Sequence, residues 1–395
     1  MTQTVLVAGV GMIPFSKPGA SPSYTDMGAE AVRLALKDAG LDYDKVQMAF
    51  TGYVYGDSTC GQTVLYEIGR SGIPVINVNN NCSTGSTALY LAREAVRCGQ
   101  VECALAVGFE QMQAGALKSA WDDRPRPRAR FMPILERLTA DAHDVPQALR
   151  GFGGAGREHM ERYGTRLDTF AAVRAKASRH AANNPLALFK NVVSTEDVMN
   201  DKVVWPGVMT RLMACPPTCG AAAAIICSET FARKHGLRTD VQILAQSMTT
   251  DPVESFDPPS MISYVGFHMA QAGARMVYEE AGIGPQDIRV CELHDCFAHN
   301  ELLSYEALGF CPIGGAEKFI LDGDNTYGGR VVTNPSGGLL SKGHPLGATG
   351  LAQCYELTQQ LRGNADKRQV EGVQVALQHN LGLGGACVIT MYGKR

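Results

Sequence analysis

The chain has 395 residues, of which 36 are basic and 39 acidic, so its formal net charge is −3. A chain of this length is too long for one ordinary core, and two or three packed units are expected. The balanced charge and the lack of a long charge run give no indication of a polyanion-binding surface, and no apolar run approaches the roughly 18 residues that a membrane span needs. We therefore expect no nucleic-acid partner and no stable membrane insertion.

The first residues, MTQTVLVAGVGMIPF, predict a strand and a turn, because they lack the basic segment and cleavage site of a secretory signal. The 12 cysteines are therefore expected to be reduced thiols, mostly small buried hydrophobic residues. Cys215 and Cys219, in MACPPTCG, are interpreted as structural. Gly9 and Gly11 lack the third glycine of a dinucleotide fingerprint, and Pro14 breaks the helix that must follow, so that site is not expected.

Strand-like apolar segments alternate with helical patterns along the chain, which predicts an α/β architecture. Two stretches, 29–53 and 273–295, follow one order: a helix, an Ala-Gly stop, a polar turn and a strand. The strand segments are 5–10, 104–108, 221–227 and 373–377, and the helical ones include 27–39 and 84–98.

A second pair of segments is more informative. The stretch CSTGSTALYLAREAV, which starts at Cys82, is echoed by HPLGATGLAQCYELTQQL, which starts at His344. In each, a glycine (Gly85, Gly347) follows the reactive side chain three residues later and precedes a helix of small residues and a buried strand. This predicts an internal duplication of two α/β halves, although βαβ units share this order and can produce such an echo by coincidence.

The composition changes between the two halves, where DDRPRPRARFMP is rich in proline and arginine. We expect an insertion domain or lid at 119–207, because such a region commonly covers a substrate site. The rest divides into an N-terminal half, 1–118 plus 208–240, and a C-terminal half, 241–395. The arginines of 124–130 fit either a contact with phosphate groups or a solvated basic loop.

Cys82 lies at a predicted helix start, after Asn79, Asn80 and Asn81 and before several small residues. Unpaired N–H groups and the positive end of the helix dipole favour an anion there, so we expect the pKa of the thiol to be lowered. The local features alone leave a nucleophile and a buried packing cysteine as equal alternatives. The asparagine run is interpreted as amides that satisfy backbone groups around a strained turn.

His344 lies in the glycine-dense turn of SGGLLSKGHPLGATG, just before a second predicted helix. The glycines let the backbone approach closely, and a helix N-terminus disfavours protonation of the ring, so a neutral imidazole is expected. The alternative is a histidine that only caps or closes the turn. The stretch HNLGLGGA, 379–386, is another Gly-rich turn, whose backbone N–H groups could form part of an oxyanion hole.

The segment CELHDCFAHNE, 291–301, concentrates cysteine, histidine and aspartate at the end of an apparent strand. A zinc site is not expected, because no CxxC pair or HxxxH partner follows at a useful spacing. If the strand continues, His294 and Cys296 share one face and Asp295 lies on the other. Two proton-handling side chains would then converge on one point.

Taken together, the motifs NVNNNCSTGSTAL, ELHDCF, NPSGGLLSKGHPLGATGLAQC and HNLGLGG resemble the thiolase superfamily, and within it the sterol carrier protein type thiolases. The segments GYVYGDSTCGQ, NELLSYEALG and GDNTYGG extend the likeness over nearly the whole chain. Ordinary thiolases are less similar, because they carry Asn-Glu-Ala-Phe where this chain has His294 to Phe297. They also carry a second cysteine in a Cys-x-Gly turn where this chain has Asn380, Leu381 and Gly382.

The resemblance implies the thiolase fold, in which two duplicated βαβαβαββ halves form five layers, αβαβα, with an inserted loop domain. It implies a 3-oxoacyl-CoA thiolase, an acyltransferase that shortens acyl chains by reversible thiolytic cleavage in fatty-acid or sterol side-chain degradation. Acyl-CoA would be the substrate and coenzyme A the co-substrate, with no tightly bound cofactor and no metal. A homodimer or homotetramer is expected.

By the same resemblance, Cys82 would carry the acyl group, His344 would activate it and donate to the first oxyanion, and His294 would assist that oxyanion. Cys296 would be the acid and base, and the backbone N–H groups of Cys82 and Gly382 would hold the thioester oxygen. Breaking the bond between carbons 2 and 3 of the substrate needs a soft nucleophile, donors for an alkoxide and an acid for the departing carbanion, and these residue types supply them.

Two further functions stay open. A carbon–carbon lyase of the retro-aldol type, acting on sterol-derived acyl-CoA, occurs on related scaffolds that lack the nucleophile, so Cys82 argues against it. A non-catalytic scaffold subunit would bind lipid or acyl-CoA without turnover. The sequence ends in VITMYGKR, with neither the carrier domain of the fused animal protein nor a Ser-Lys-Leu-like signal, so a cytoplasmic location is expected rather than a peroxisomal one.

Overall fold

Strands and helices alternate along the chain in a computed structural model that describes residues 3–115, 117, 119, 121 and 123–395. The strands are β1 (Val5–Met12), β2 (Met48–Gly52), β3 (Val75–Val78), β4 (Cys103–Glu110), β5 (Val203–Trp205), β6 (Met209–Thr210), β7 (Gly220–Ser228), β8 (Val241–Thr249), β9 (Val290–Glu292), β10 (Val332–Thr333), β11 (Val375–Gly382) and β12 (Ala386–Lys394). The helices are α1 (Tyr24–Ala39), α2 (Cys60–Tyr66), α3 (Thr84–Arg97), α4 (Met132–Leu138), α5 (Gln147–Tyr163), α6 (Leu167–Ala181), α7 (Thr195–Met199), α8 (Glu229–His235), α9 (Met261–Tyr264), α10 (Phe267–Ala281), α11 (Ala298–Ala307), α12 (Ala316–Leu321) and α13 (Thr349–Arg362).

Ten strands form one mixed sheet in the order β10-β9-β11-β12-β8-β1-β7-β4-β2-β3, and β5 pairs with β6 in a separate ribbon. The sheet divides into two sets of five, which meet where Leu6 of β1 pairs with Gln242 of β8. When each set is counted in chain order, both run 1-5-4-2-3 outward from this central contact. The predicted internal duplication is therefore visible as a repeated topology.

The helices and the two sets of strands make five layers. Helix α1 covers the outer face of the first set, α3 and α13 lie together between the sets, and α10 covers the outer face of the second, with α11 packed on α10. Side chains of β1 alternate between two apolar clusters, since Leu6 and Ala8 lie with α1 whereas Val5 and Val7 lie with the central helices. Burial on both faces explains the near-continuous apolar runs of these strands, and the predicted α/β class is confirmed.

The Ala-Gly helix stops are also confirmed. Helix α1 ends at Gly40 with φ +67°, and α10 ends at Gly282 with φ +66°. Both glycines take the left-handed conformation that closes a helix and that other residues adopt only at a cost. None of the helices in the described part of the chain has the length and apolar character needed to cross a bilayer.

The region expected to be an insertion, 119–207, contains α4 to α7, and α6 packs on α11 and α12. Lys176 of α6 is buried against Glu301 of α11 and donates to the Thr333 hydroxyl at 2.7 Å. This buried ion pair anchors the region to the second half of the chain. Its boundaries stay predictions, and Lys118, where the first predicted segment ends, lies outside the described residues, as do positions 1, 2, 116, 120 and 122.

In the arginine-rich loop, 124–130, Arg128 takes neither of the two predicted roles, whereas Arg124 is solvated. Arg128 folds inward, where it donates to the Tyr264 carbonyl oxygen at 2.6 Å and lies 4.0 Å from the centre of the Tyr264 ring. Arg124 stays exposed and pairs with its neighbour Asp123. One arginine of the loop is therefore structural, and the predicted contact of the others with phosphate stays a prediction.

Candidate active site

Cys82 lies in a tight turn between β3 and α3, two residues before the helix begins at Thr84. The preceding Asn81 has φ +51°, a left-handed conformation that asparagine tolerates better than most residues. Cys82 itself is only 8 % exposed. The sequence therefore places a thiol at the N-terminus of a helix, as expected, but in a more enclosed setting than the small neighbouring residues suggested.

The asparagine run holds this turn together. The Asn79 side chain accepts the backbone N–H of Asn81 at 3.0 Å, and the backbone N–H of Asn80 donates to Thr84 Oγ1 at 2.9 Å. The Asn81 amide donates to the carbonyl oxygen of Leu383 at 2.7 Å, in the Gly-rich turn of the other half. The amides thus satisfy backbone groups around a strained turn and tie the two halves together beside Cys82.

The expected low pKa of the thiol was wrong. Burial raises the pKa of Cys82 to about 12, and the charge of Glu110 acts in the same direction. The backbone N–H groups of Cys82 and Leu383 lower it, but they do not outweigh the loss of solvent around the sulfur. Cys82 is therefore a neutral thiol at rest and needs a base before it can act as a nucleophile.

His344 approaches from the equivalent helix start of the second half, five residues before α13 begins at Thr349. Its backbone N–H donates to Thr218 Oγ1 at 3.1 Å, and its Nδ1 lies 2.7 Å from Thr349 Oγ1. Its Nε2 has no hydrogen-bond partner among the described residues. Burial, with the charge of Lys342, lowers the pKa of His344 to about 3, so the ring is neutral as expected, although burial rather than the helix dipole is the main cause.

His294 stands beside His344 with the two rings nearly perpendicular. The ring centroids are 5.1 Å apart and the planes meet at 83°. His294 Nδ1 lies 3.1 Å from Asn380 Nδ2, and its carbonyl oxygen accepts from Asn300 Nδ2 at 2.5 Å. Burial, followed by repulsion from His344 and His379, lowers the pKa of His294 well below its ordinary value, so this ring is also neutral.

These three residues form one buried cluster at the junction of the two halves. One donor atom from each of Cys82, His294 and His344 lies within 4.8 Å of the other two. A neutral thiol beside a neutral imidazole is the arrangement of a nucleophile with its general base. The same donor types also bind Zn²⁺, so the geometry offers a metal-ligand set at a place where the sequence predicted none.

Strand β9 ends at Glu292, so the segment 293–296 has no regular secondary structure. The predicted divergence of its side chains nevertheless occurs. His294 joins the cluster, whereas Asp295 turns away and accepts the backbone N–H of Leu339 at 2.7 Å. Two proton-handling groups and one structural carboxyl therefore come from three adjacent positions.

Cys296, 4 % exposed, lies close enough to Cys82 for their charges to interact. Burial raises the pKa of Cys296 well above its ordinary value, and Cys215 and Cys82 add to the effect. Cys296 is therefore protonated at neutral pH and can act as an acid. A carbanion formed beside it would be a base strong enough to take its proton.

The segment MACPPTC, interpreted from the sequence as structural, lies between the two histidine-bearing loops. Ala214 forms a bridge with Phe297, the backbone N–H of Cys215 donates to the Cys296 carbonyl oxygen at 2.9 Å, and Pro217 forms a bridge with His344. The Cys215 backbone is thus joined to that of Cys296, and nothing in these contacts contradicts the interpretation of Cys215 and Cys219 as structural. Nothing local in the sequence indicates a pairing between segments so far apart.

Gly382 ends β11 and pairs with Ala386. A Cβ at this position would lie 2.8 Å from Ser83 Oγ, so the close approach to the Cys82 turn requires glycine. The backbone N–H that contacts the Cys82 sulfur from this turn belongs to Leu383. The structure therefore brings Gly382 to the site, and its role as an oxyanion donor stays a prediction.

Glu110, which no sequence motif indicates, is a buried carboxyl that ties together the loops around the site. Its buried carboxyl accepts the backbone N–H groups of Val54, Tyr55 and Gly347 at 3.1, 2.9 and 3.0 Å. Burial raises the pKa of Glu110 to about 7, although the three N–H donors oppose the shift. This carboxyl joins the end of β4 to the loop that carries His344, and its only sequence signal is an acidic residue at the end of an apolar strand.

Comparison with known families matches both halves of the chain. The family described as thiolase, N-terminal domain, matches residues 5–230, and the one described as thiolase C-terminal domain-like matches residues 259–391. The chain is 53% identical to sterol carrier protein 2 of Oryctolagus cuniculus over 393 residues, which are 98% of this chain and 71% of that protein. It is 34% identical to the benzoylsuccinyl-CoA thiolase subunit BbsB of Thauera aromatica, over 98% of this chain and 96% of that one.

Solved structures agree in fold. The Ltp2-ChsH2(DUF35) aldolase matches with a TM-score of 0.84 at 24% identity, over 100% of this chain and 98% of that one. Human mitochondrial 3-ketoacyl-CoA thiolase in complex with CoA matches with a TM-score of 0.69 at 18% identity, over 100% and 98% of the two chains. At these identities the likeness shows the shared architecture, and a relative's chemistry has to be argued from the site.

Proposed function

We propose that this chain, which belongs to the thiolase family, catalyses CoA-dependent thiolytic cleavage of 3-oxoacyl-CoA through an acyl thioester on Cys82. The observation that carries the proposal is the buried cluster in which the donor atoms of Cys82, His294 and His344 lie within 4.8 Å of one another. The cluster combines a nucleophile, a base and a hydrogen-bond donor, which are the groups that acyl transfer requires.

In the first half-reaction, His344 Nε2 takes the Cys82 proton and the sulfur attacks the ketone carbon, C3. The resulting alkoxide is held by the protonated His344 and by His294. Its collapse breaks the C2–C3 bond, and the carbanion that leaves takes a proton from Cys296, which gives acetyl-CoA or, from a 2-methyl substrate, propanoyl-CoA. Cys82 keeps the shortened acyl group.

In the second half-reaction, CoA attacks the acyl group on Cys82 and gives its thiol proton to the Cys296 thiolate. The backbone N–H groups of Cys82 and Gly382 are proposed to hold the thioester oxygen during this step. When Cys82 leaves, it regains its proton from His344. Protons balance over the cycle, and the products are two CoA thioesters.

The test is a thiolysis assay with intact-protein and peptide mass spectrometry. The unaltered chain should cleave 3-oxoacyl-CoA only when CoA is present, and without CoA it should carry the shortened acyl group on Cys82. C82A should lose both properties, whereas C98A should keep them, because Cys98 is exposed at the end of α3. Thiolysis that survived C82A would end the proposal.

The same assay separates the alternatives. Cleavage that needs no CoA would favour a lyase, an activity named for the aldolase whose fold this chain shares, and binding without an adduct or turnover would favour a non-catalytic subunit. Straight-chain, 2-methyl-branched and steroid 3-oxoacyl-CoA substrates should be compared, because we expect the inserted region, 119–207, to set the shape of the acyl pocket.

We also propose that the chain acts as a homodimer or homotetramer in the cytoplasm. The edge position of β3, where Ile76 is 42 % exposed, supports assembly, because an edge strand with an exposed apolar side chain is a surface for pairing. Light scattering of the purified protein at several concentrations tests the oligomeric state, and fractionation of the source cells tests the location.

A further inference from the structure

Asn380 joins the two parts of the candidate site through one amide. This residue of β11 is fully buried, and its Nδ2 lies 3.1 Å from both the Cys82 carbonyl oxygen and His294 Nδ1. Its Oδ1 accepts from Ser86 Oγ at 2.8 Å. In the sequence, Asn380 was notable only because it stands where ordinary thiolases carry a second cysteine.

The orientation of this amide is determined by its partners. A carbonyl oxygen can only accept, so the Asn380 atom that faces the Cys82 carbonyl must be the NH₂ group. The same NH₂ group faces His294 Nδ1, which must then accept. A neutral imidazole that accepts at Nδ1 carries its proton on Nε2. His294 is therefore held as a donor at Nε2.

A chain of hydrogen bonds fixes the orientation of the Asn380 amide through its oxygen. The Tyr392 hydroxyl donates to Gln378 Oε1 at 2.5 Å, Gln378 Nε2 donates to Ser86 Oγ at 2.7 Å, and Ser86 donates to Asn380. Every member is buried, and each donates in the same direction, so the bonds polarise one another. Ser86 belongs to the first half and the other members to the second, so the chain forms only when the halves are assembled.

His344 is held in the opposite tautomer, with its proton on Nδ1. The Thr349 hydroxyl donates to the Pro345 carbonyl oxygen at 2.9 Å, so it accepts from His344 Nδ1. The lone pair of His344 is then on Nε2, the atom without a partner among the described residues. Two neutral histidines, 5.1 Å apart, thus present different atoms to one space: a lone pair from His344 and an N–H from His294.

We propose that Asn380 is a positioning residue that holds His294 as the Nε2–H tautomer, so that His294 donates to the alkoxide while His344 takes the Cys82 proton. The role in thiolysis rests on the proposed function, but the tautomer does not. The same device keeps the cluster from acting as a metal site, because a histidine protonated on Nε2 has no lone pair there for Zn²⁺.

The substitution Asn380→Asp should reverse the tautomer preference of His294. A carboxylate can only accept a hydrogen bond, so it would favour the His294 tautomer that carries its proton on Nδ1. That tautomer has a lone pair on Nε2. In zinc sites, a carboxylate commonly accepts the ring N–H of a histidine whose other nitrogen binds the metal. Such a hydrogen bond is worth about 10- to 100-fold in metal affinity. N380D should therefore lose an oxyanion donor and gain a zinc ligand, beside Cys82 and His344.

The first experiment is ¹⁵N NMR of histidine-labelled protein, with His294 assigned by its loss in H294Q. The unaltered protein should show His294 protonated on Nε2 at pH 7, and N380D should show it protonated on Nδ1. The matched control is N184D, because the buried Asn184 also donates to a carbonyl oxygen, that of Ser336, and accepts a backbone N–H from Leu186. N184D should leave the His294 signals unchanged.

Two further measurements use the same proteins. N380D should reduce kcat by about 100- to 1,000-fold, the usual loss for one oxyanion donor, with little change in KM. Titration with zinc chloride should show binding to N380D at least about tenfold tighter than to the unaltered protein or N184D. Equal zinc affinity in all three proteins would overturn the proposal.

The outcomes separate the inference from the function on which it rests. If the unaltered protein has the Nε2–H tautomer but no thiolysis, the proposed function fails and the role of Asn380 in holding His294 stands. If it catalyses thiolysis with His294 protonated on Nδ1, the inference fails and the function stands. The spectrum of the unaltered protein decides the point even if N380D does not fold.

Discussion

Gly85 and Gly347 meet at the junction of the two halves, so closely that a Cβ on Gly85 would lie 2.7 Å from the Gly347 carbonyl oxygen. Each glycine lies three residues after a reactive side chain, Cys82 or His344. The repeated glycine therefore has a physical purpose, since it lets two helix starts approach until a thiol and an imidazole face one space.

We predict that G85A destabilises the protein by about 1–3 kcal/mol, the usual cost of overpacking a tight core, and reduces thiolysis, because the two helix starts must separate. The control is G151A in α5, where an added Cβ would lie 3.7 Å from Val265 and meet nothing closer. Alanine there should stabilise by up to about 1 kcal/mol. Urea unfolding of both variants checks the pair, and equal effects would contradict the close contact.

Much of the fold was predictable because it depends on local patterns. Apolar runs indicated strands buried on both faces, Ala-Gly pairs indicated helix ends, and the echo of Cys82 in His344 indicated the duplication. The first two signals each arise from a stretch of fewer than about 20 residues, the length over which periodicity and capping act, and the echo needs only the comparison of two such stretches.

The site was predictable only in part, because its chemistry depends on burial and on distant pairing. The helix dipole at Cys82 is visible in the sequence, but the loss of solvent that raises the pKa is not. The proximity of Cys215 to the site was not predictable, because its partner Cys296 is 81 residues away in the chain. Asn380 was missed as a positioning residue because a polar residue in a buried strand shows its partners only after folding.

The resting state of Cys82 gives a prediction about pH. With its pKa raised to about 12, the thiol ionises only in strong base, so alkylation of Cys82 by iodoacetamide should rise about tenfold per pH unit from pH 7 to 10 without a plateau. Peptide mass spectrometry follows each cysteine, and exposed Cys98 serves as the internal reference. A plateau beginning below pH 7 would indicate a stable thiolate–imidazolium pair instead.

Glu110 gives a prediction about stability. Burial raises its pKa from 4.5 to about 7 in the folded state, so the folded protein binds more protons than the unfolded chain between these values. The contribution of this protonation to the free energy of unfolding is fully present below pH 4.5. It is lost as the pH rises through 7, at about 1.4 kcal/mol per pH unit. E110Q cannot titrate, so its unfolding free energy should fall less steeply between pH 5 and 7.

Urea unfolding at pH 5, 6, 7 and 8 measures these slopes, with E30Q on the exposed face of α1 as the control. E110Q should also be less stable at every pH, because its amide places N–H groups against backbone N–H groups, at about 1–3 kcal/mol for each donor left unsatisfied. Identical slopes for E110Q and the unaltered protein would show that Glu110 is ionised throughout this range.

The buried pair Lys176–Glu301 should matter more than any exposed pair. K176M leaves the Glu301 carboxylate buried without its cation, so we expect a loss of about 3–5 kcal/mol in the free energy of unfolding. The double variant K176M/E301Q removes both charges and should recover most of that loss. K318A, which breaks the exposed pair with Asp322, should cost less than about 1 kcal/mol.

The two adjacent thiols allow the acid in the proposed mechanism to be identified. The backbone N–H of Cys215 donates to the carbonyl oxygen of Cys296, and both thiols lie near enough to Cys82 for their charges to interact. We predict that C296S lowers kcat for thiolysis by about 100- to 10,000-fold, the range for loss of a general acid and base, because a serine hydroxyl is a far weaker acid. C215S should stay within about fivefold of the unaltered protein, well below that range.

The acyl adduct distinguishes loss of the acid from loss of the fold. C296S should still bind acyl-CoA and should accept an acyl group on Cys82 from a simple acyl-CoA donor, because a departing CoA thiolate, unlike a carbanion, is stable enough to leave without a proton from residue 296. Single-turnover mass spectrometry measures the adduct in both serine variants. If C215S lost thiolysis and C296S kept it, the acid role would pass from the ELHDCF segment to the CPPTC segment, and the likeness between this site and that of its family would be one of position rather than of chemistry.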